Sequence, residues 1–216
     1  LQLAVYTVVF STIMRMGISK YYLFLFVALI PWIFFSSSVQ AGASCILAQK
    51  DMVKKIYFPR QVLTIAHVTT CFVNMLFCLI IVLLVAGFSV GINPIALPYL
   101  VPTMIIEYIL ALGLAFLTSS ITVYFRDMEH ILGIVLMAWQ FLTPVLYSLD
   151  MVPSALKPLF MINPMTAIII SYRNILYDKH PPELNTMFLG LIMGIAFLII
   201  GWIVFERLQR HFAEEF

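Results

Sequence analysis

Not one charged side chain occurs between Tyr21 and Ala48. At about 1.5 Å per residue a helix of that length exceeds the roughly 30 Å hydrocarbon core of a bilayer, with tilt to spare despite Pro31. The pattern repeats at Val62 to Gly87, Tyr99 to Tyr124, Ile131 to Tyr147 and Met187 to Phe205, with charge confined to the links except for Glu107. Composition agrees: the 216 residues are 63% hydrophobic and 10% charged, against about 25% charged in soluble domains. The solvent around most of this chain is therefore lipid.

The chain opens on a further apolar run, Leu1 to Met14, shorter than the roughly 20 residues a span needs. The expectation is that part of a first span and whatever precedes it lie before Leu1, and the run lacks the basic leader and small-residue cleavage site of a signal peptide. The fold class expected is all-α: a polytopic membrane protein with six transmembrane helices, residues 1–216 forming one transmembrane domain. Between the fifth and sixth spans, residues 148–185 contain five prolines and two apolar stretches, Ala155 to Ile162 and Met165 to Leu176. Neither is long enough to cross, and such stretches read as re-entrant or interfacial helices. Two short re-entrant helices on the outer side are expected there.

Orientation follows from Lys and Arg in short loops. The link Gln49 to Arg60 carries Lys50, Lys54, Lys55 and Arg60, whereas Phe88 to Pro98 across the third span has no charge. The basic link is then cytoplasmic, together with Arg126, Arg207, Arg210 and the C-terminus. Arg15, Lys20, Lys157, Arg173 and Lys179 fall outside.

The sequence contains no phosphate-binding G-x-x-x-x-G-K-[ST] loop, H-E-x-x-H motif or dinucleotide fingerprint. Any nucleotide hydrolysis belongs to a separate polypeptide, and an enzyme in its own right is not expected. Cys45, Cys71 and Cys78 lie within apolar runs without metal-ligand spacing, so no metal or disulfide is read from them. The small clusters of basic residues give no support for nucleic acid binding.

The segment QKDMVKKIYFPR at 49–60 combines Lys50, Lys54 and Lys55, suited to a polar rim, with an apolar knob of Met52, Val53, Ile56, Tyr57 and Phe58; Pro59 suits the start of the next helix. A docking element and an ordinary positive-inside loop on lipid headgroups both fit these residues. Within the third span Thr64, His67, Cys71, Asn74 and Cys78 recur on one side, which is expected to face protein. Ser37, Ala41, Ser44 and Ala48 make a small-residue face suited to helix packing, and Gly190 and Gly194 a G-x-x-x-G suited to packing within the chain or between copies. Glu107, costly inside a membrane, calls for a partner or a wet cavity, with Arg173 as one candidate. Tyr6, Phe10, Trp32 and Trp139 are aromatic candidates for a translocation path, with His67, Asn74 and Glu107, because the C–H face of a sugar packs on a ring.

The string KKIYFPR at 54–60, FRD at Phe125 to Asp127, PWIFFSSS at 31–38, FLTPVLYSLDMVP at 141–153 and the pair Asn163-Pro164 resemble type 2 ABC transporter permeases, above all polysaccharide and teichoic-acid exporters. The resemblance implies a half-transporter in the bacterial cytoplasmic (inner) membrane that pairs with a second copy of itself and with two copies of a soluble ATPase subunit. ATP and Mg would be bound by that partner, with no cofactor in this chain. A lipid-linked glycan such as O-antigen, capsule or teichoic acid would be the cargo. It further implies that Lys50, Lys54, Lys55, Ile56, Tyr57, Phe58, Pro59 and Arg60 couple to the ATPase, and that Pro153, Asn163, Pro164 and Arg173 belong to an outer gate. The family's amphipathic N-terminal helix is not present in this sequence. A type 2 exporter of drugs or lipids, or a secondary transporter, are the alternatives; the latter calls for internal inverted repeats, which are not found.

Overall fold

In the computed structural model of the protein, residues 18–50 and 58–212 are described, apart from the side chain of residue 211. They form α1 (Tyr21–Ala48), α2 (Gln61–Ser89), α3 (Leu100–Tyr124), α4 (Met128–Leu142), the single-turn α5 (Lys157–Met161), α6 (Pro164–Leu176) and α7 (Leu184–Leu208), with short 3₁₀ turns and no strand among the described residues. Four of these segments are long and apolar enough to cross a membrane: α1, α2, α3 with the turn before it, and α7. The protein is thus all-helical, with its apolar runs folded into helices at nearly the positions the hydropathy pattern marks. The expected first span lies outside the described residues.

One span boundary differs. The fifth apolar run, expected to continue to Tyr147, ends as a helix at Leu142, and α4 has only 15 residues. Pro144 explains the stop: it lacks an N–H and pushes the preceding residue out of the helical region, and Thr143 is extended with φ −107° and ψ 134°.

α1 and α3 form the centre. Leu23, Leu25, Val27, Ala28 and Phe35 of α1 and Leu110, Ala111 and Ala115 of α3 are fully buried, whereas α2 and α7 leave broad apolar faces open, among them Phe77, Ile80, Ile192 and Ile199. In lipid such faces cost nothing, so the core is held by close packing rather than by burial from water. At the crossing of α3 and α7, a Cβ built on Gly113 would stand 2.6 Å from the Phe197 backbone carbon and 2.7 Å from the Leu198 Cα. Gly201 meets the Gly113 carbonyl from the other side. Gly190 lies against Ile106, Ala167 and Ile168, and Gly194 against the Ile106 carbonyl. The G-x-x-x-G face therefore packs within the chain, against α3 and α6.

Two expected helix faces shift. α1 meets α3 through Gly42, whose built Cβ would lie 2.8 Å from the Ala115 Cβ, while Ser37 and Ala48 of the predicted small-residue face are exposed. The strip one residue further round does the packing. On α2, Thr64 is buried and lies 3.3 Å from the Ser119 hydroxyl, yet His67 and Asn74 are exposed. At about 100° per residue, the buried line Thr64, Val68, Met75, Leu79 and Val82 is displaced from the polar one, so the polar stripe borders the contact instead of filling it.

At the end of the bundle where α2 finishes, basic residues act as caps. Lys20 donates to the Ser89 carbonyl, Lys179 Nζ to the Val90 carbonyl at 2.8 Å, and Asn93 Nδ2 to the Lys179 carbonyl at 2.8 Å. Cations at a helix C-terminus meet both the free carbonyls and the negative end of its dipole.

Candidate functional site

The residues expected at an outer gate converge on the unwound end of α4. Asn163 caps α6, its Oδ1 accepting from the Met165 N–H at 3.0 Å, and Pro164 occupies the first turn, where its missing N–H is harmless. The same Oδ1 accepts from the Trp139 indole Nε1 at 3.0 Å. Asn163 Nδ2 donates to the Thr143 hydroxyl at 2.8 Å and to the Leu142 carbonyl at 3.3 Å. One carboxamide thus starts α6 and takes up groups left free where Pro144 stops α4.

Arg173, 5% exposed, completes the knot from the last turn of α6. Its two terminal nitrogens donate to the carbonyls of Val145 at 2.7 Å and Tyr147 at 3.0 Å. The guanidinium carbon stands 3.6 Å from the centre of the Phe24 ring, a cation–π contact of about 2 kcal/mol when desolvated. Tyr21 donates to the Leu146 carbonyl at 2.8 Å, so consecutive carbonyls of the irregular segment are bound by α1 and α6. Pro153 lies apart: it is exposed, and its carbonyl opens the turn that leads into α5.

Glu107 does not pair with Arg173. It is fully buried, and its Oε2 accepts from the Tyr172 hydroxyl at 2.7 Å; Arg173, one residue on, points to the other side of α6. Glu107 has no exposed surface in this conformation, and its contact with Tyr172 joins α3 to α6. Nothing in its sequence context singles out Tyr172, because a tyrosine in an apolar stretch looks like any interface aromatic.

The other path candidates separate into two groups. Trp32 and Trp139 are linked through Phe35, with ring centres 5.5 and 5.4 Å apart in turn. Trp32 also borders an open groove of about 270 Å³ between α1 and α4, with Ser36, Ser37, Gln40 and Gln140. His67 and Asn74 sit on the open side of α2, away from it. Tyr6 and Phe10 lie outside the described residues. Gln40 and Gln140 were passed over in the sequence, although a lone amide in an apolar run such as MAWQFL is a signal that could have found Gln140.

At the opposite end of the bundle, Lys54, Lys55, Ile56 and Tyr57 lie outside the described residues, and Lys50 and Pro59 are exposed. Phe58 packs on an inner cluster formed by Cys45, Ile46, Phe116, Val123, Phe205 and Phe212. Arg60, read as a docking contact, is turned into its own chain: it donates to the Gln209 carbonyl and lies 5.8 Å from the centre of the Phe212 ring. Tyr124 donates to the Leu208 carbonyl at 3.0 Å. The start of α2, the end of α3 and the end of α7 are therefore tied where the basic segment rejoins the bundle. The FRD string forms the adjacent turn, and Tyr124, Phe125, Arg126 and Asp127 border an open hollow of about 790 Å³.

Comparison with known proteins gives these features a common setting. The family model described as ABC-2 type transporter matches residues 1–177. An O-antigen export system permease protein of Myxococcus xanthus is 35% identical over 217 residues, covering 99% of this chain and 83% of that protein. A protein of the same description from Klebsiella pneumoniae is 30% identical over 215 residues, covering 97% and 81%. The match runs through the tied ends of α2, α3 and α7, the groove and the α4 to α6 knot alike, and the chain belongs to the ABC-2 type transporter family, as a membrane-embedded permease component.

Proposed function

We propose that this chain is the membrane-spanning half of an ATP-driven exporter that carries a lipid-linked polysaccharide of the O-antigen kind out across the bacterial cytoplasmic membrane. The observation that carries the reading is its similarity, over nearly its whole length, to O-antigen export permeases from two bacteria. Two copies of the chain pair with two copies of a soluble ATPase, which binds ATP and Mg. The permease does no chemistry and converts ATPase closure into helix movement.

In this reading six spans cross the membrane: a first one that includes the apolar run Leu1 to Met14, then α1, α2, α3, α4 with the irregular residues after it, and α7. α5 and α6 are re-entrant helices at the outer face, forming a gate. The C-terminus is cytoplasmic. For four of the five cations assigned outward against the usual bias, the assignment is supported by their uses: Lys20 and Lys179 cap α2, Arg173 binds two carbonyls, and Lys157 lies 3.7 Å from Asp150. They are held by the fold.

Residues 49–60 dock the ATPase through Lys50, Lys54, Lys55, Ile56 and Tyr57, and Phe58 and Arg60 pass the displacement to α7. The direct test is deletion of the gene in its native host. The surface polysaccharide should vanish and its lipid-linked form accumulate on the cytoplasmic side, with recovery when the chain is resupplied and no recovery when the ATPase gene is deleted as well. Undiminished surface polysaccharide in the deletion strain, or recovery without the ATPase, would refute the proposal.

A further inference from the structure

A chain that leaves a bilayer on a charged string such as ERLQRHF would ordinarily run off into water, yet Phe212, at the end of that string, is 0% exposed. A 3₁₀ turn, Gln209–His211, folds the chain back from the end of α7. The Phe212 ring then stands 5.7 Å from the Phe205 ring and 6.3 Å from the Tyr124 ring, and the Arg60 guanidinium lies over it at 5.8 Å. A helix end leaves carbonyls free, and two of those at the end of α7 are taken from other helices. Arg60, where α2 begins, donates to the Gln209 carbonyl, and Tyr124, where α3 ends, donates to that of Leu208 at 3.0 Å.

Residues 49–60 have both of their anchor points on this assembly. Cys45 and Ile46, in the last turn of α1, are buried in the cluster that holds Phe212, and Phe58 and Leu63 pack against it as the chain enters α2. Phe116 of α3 fills the same cluster and meets Trp202 of α7 edge-on, with ring centres 5.5 Å apart. The two ends of the segment and the ends of α3 and α7 therefore share one cluster, closed by a side chain that lies beyond the last span.

We propose that Phe212 is a positioning residue for energy coupling: it seats Arg60 on the end of α7, so that residues 49–60 and the ends of α1, α3 and α7 move as one body when the ATPase closes. The proposal rests on the reading above that residues 49–60 dock the ATPase. A close-packed cluster has low compressibility and so passes a displacement on. A guanidinium held by a ring and a carbonyl is fixed in direction as well as distance, which the long arm of an unsupported arginine is not. Without the ring, movement of the segment is absorbed by the Arg60 side chain and the start of α2 before it reaches α7. Phe212 touches neither ATPase nor cargo in this role and acts through Arg60.

The test uses the whole transporter, with permease and ATPase expressed together in cells that lack the native copies. Four quantities are read: folded complex, ATPase co-purification, ATP hydrolysis in lipid nanodiscs, and surface polysaccharide. Phe212→Leu keeps an apolar side chain in the cluster and removes the ring beneath Arg60. Export per folded complex should fall at least fivefold, while co-purification and hydrolysis stay within twofold of wild type. In an Arg60→Gln background the same change should cost no further export, because no guanidinium is left to seat. Wild-type export by Phe212→Leu overturns the proposal, as does a further loss in the Arg60→Gln background. So does an export loss that only follows a loss of folded complex, which makes the residue structural, or a loss of co-purification or hydrolysis, which makes it part of the docking surface. If no ATPase co-purifies with the wild-type chain, it is the docking reading that fails, and the proposal with it.

Discussion

Asn163 offers the most discriminating test of the α4 to α6 knot, because its four hydrogen bonds divide into a local and a tertiary share. Asn163→Ala removes the α6 cap, worth about 1 kcal/mol. It also leaves the Trp139 indole N–H without its acceptor, at about 1 kcal/mol for a half-buried site, and frees the Thr143 hydroxyl and the Leu142 carbonyl at roughly 0.5 kcal/mol each. The expected loss is about 3 kcal/mol. Asn163→Ser keeps an oxygen for the Met165 N–H but cannot reach α4, so it should lose only about 2 kcal/mol. Trp139→Phe keeps a ring against Phe35 and deletes the indole donor; combined with Asn163→Ala it should show a coupling of about 1 kcal/mol. The measurement is reversible unfolding in mixed lipid and detergent micelles, titrated with SDS and followed by far-ultraviolet circular dichroism. If Asn163→Ala falls within about 0.5 kcal/mol of wild type, or if the two substitutions simply add, the knot does not hold α4 to α6 as argued.

Three further outcomes follow from other parts of the structure. Gly113→Ala should lower the unfolding free energy by about 1–3 kcal/mol, since its methyl group meets α7 backbone that no rotamer change can move; Gly87→Ala, whose methyl would meet only Ile92 side-chain atoms from 3.5 Å, should be neutral or stabilising in the same assay. Tyr172→Phe should cost about 1–3 kcal/mol by leaving the Glu107 carboxyl without its donor, whereas Glu107→Gln keeps an acceptor for Tyr172 and should be milder; normal export by both Glu107→Gln and Glu107→Ala at wild-type expression would exclude Glu107 from the route. Replacing Lys54, Lys55 and Tyr57 together with alanine should leave the permease folded yet reduce ATPase co-purification several-fold, and wild-type coupling in that variant would dismiss the docking role.

Span positions were legible because lipid imposes one rule, a long uninterrupted apolar run, and α1 begins and ends where charge is absent. The end of α4 was less so: hydropathy continues through Val145 and Leu146, and only Pro144 marks the break. Asn163-Pro164 was readable as a helix start, but its second use, as the partner of Trp139 and Thr143, depends on two segments meeting in space. Glu107 reads as a costly charge with Arg173 as one candidate partner, and that its partner is Tyr172 instead depends likewise on two segments meeting in space. The chain could have paired them with each other; instead each found neutral partners, a tyrosine hydroxyl for one and two carbonyls and a ring for the other. Helix faces failed where they rested on residue size alone, since Gly42 lies beside the predicted small-residue stripe of α1 rather than in it.

The distribution of ties also says which element is least constrained. α1, α3 and α7 are locked by glycine-mediated backbone contacts and by the Phe205 and Phe212 cluster at their inner ends. α4 has no such contact. Ile131, Ile134, Val135, Met137, Phe141 and Leu142 are open, only Leu136 and Gln140 of the helix are buried, and its start is held to α1 by the Gln40 amide. Its outer end is held by Asn163 and Arg173 through side chains that keep their grip on α6. A rotation of α4 about those two attachments changes the width of the groove at Trp32 and Gln140 without disturbing the α1, α3 and α7 core. The groove wall and the α4 to α6 knot then share one lever, and a displacement of α6 against α4 is felt at both.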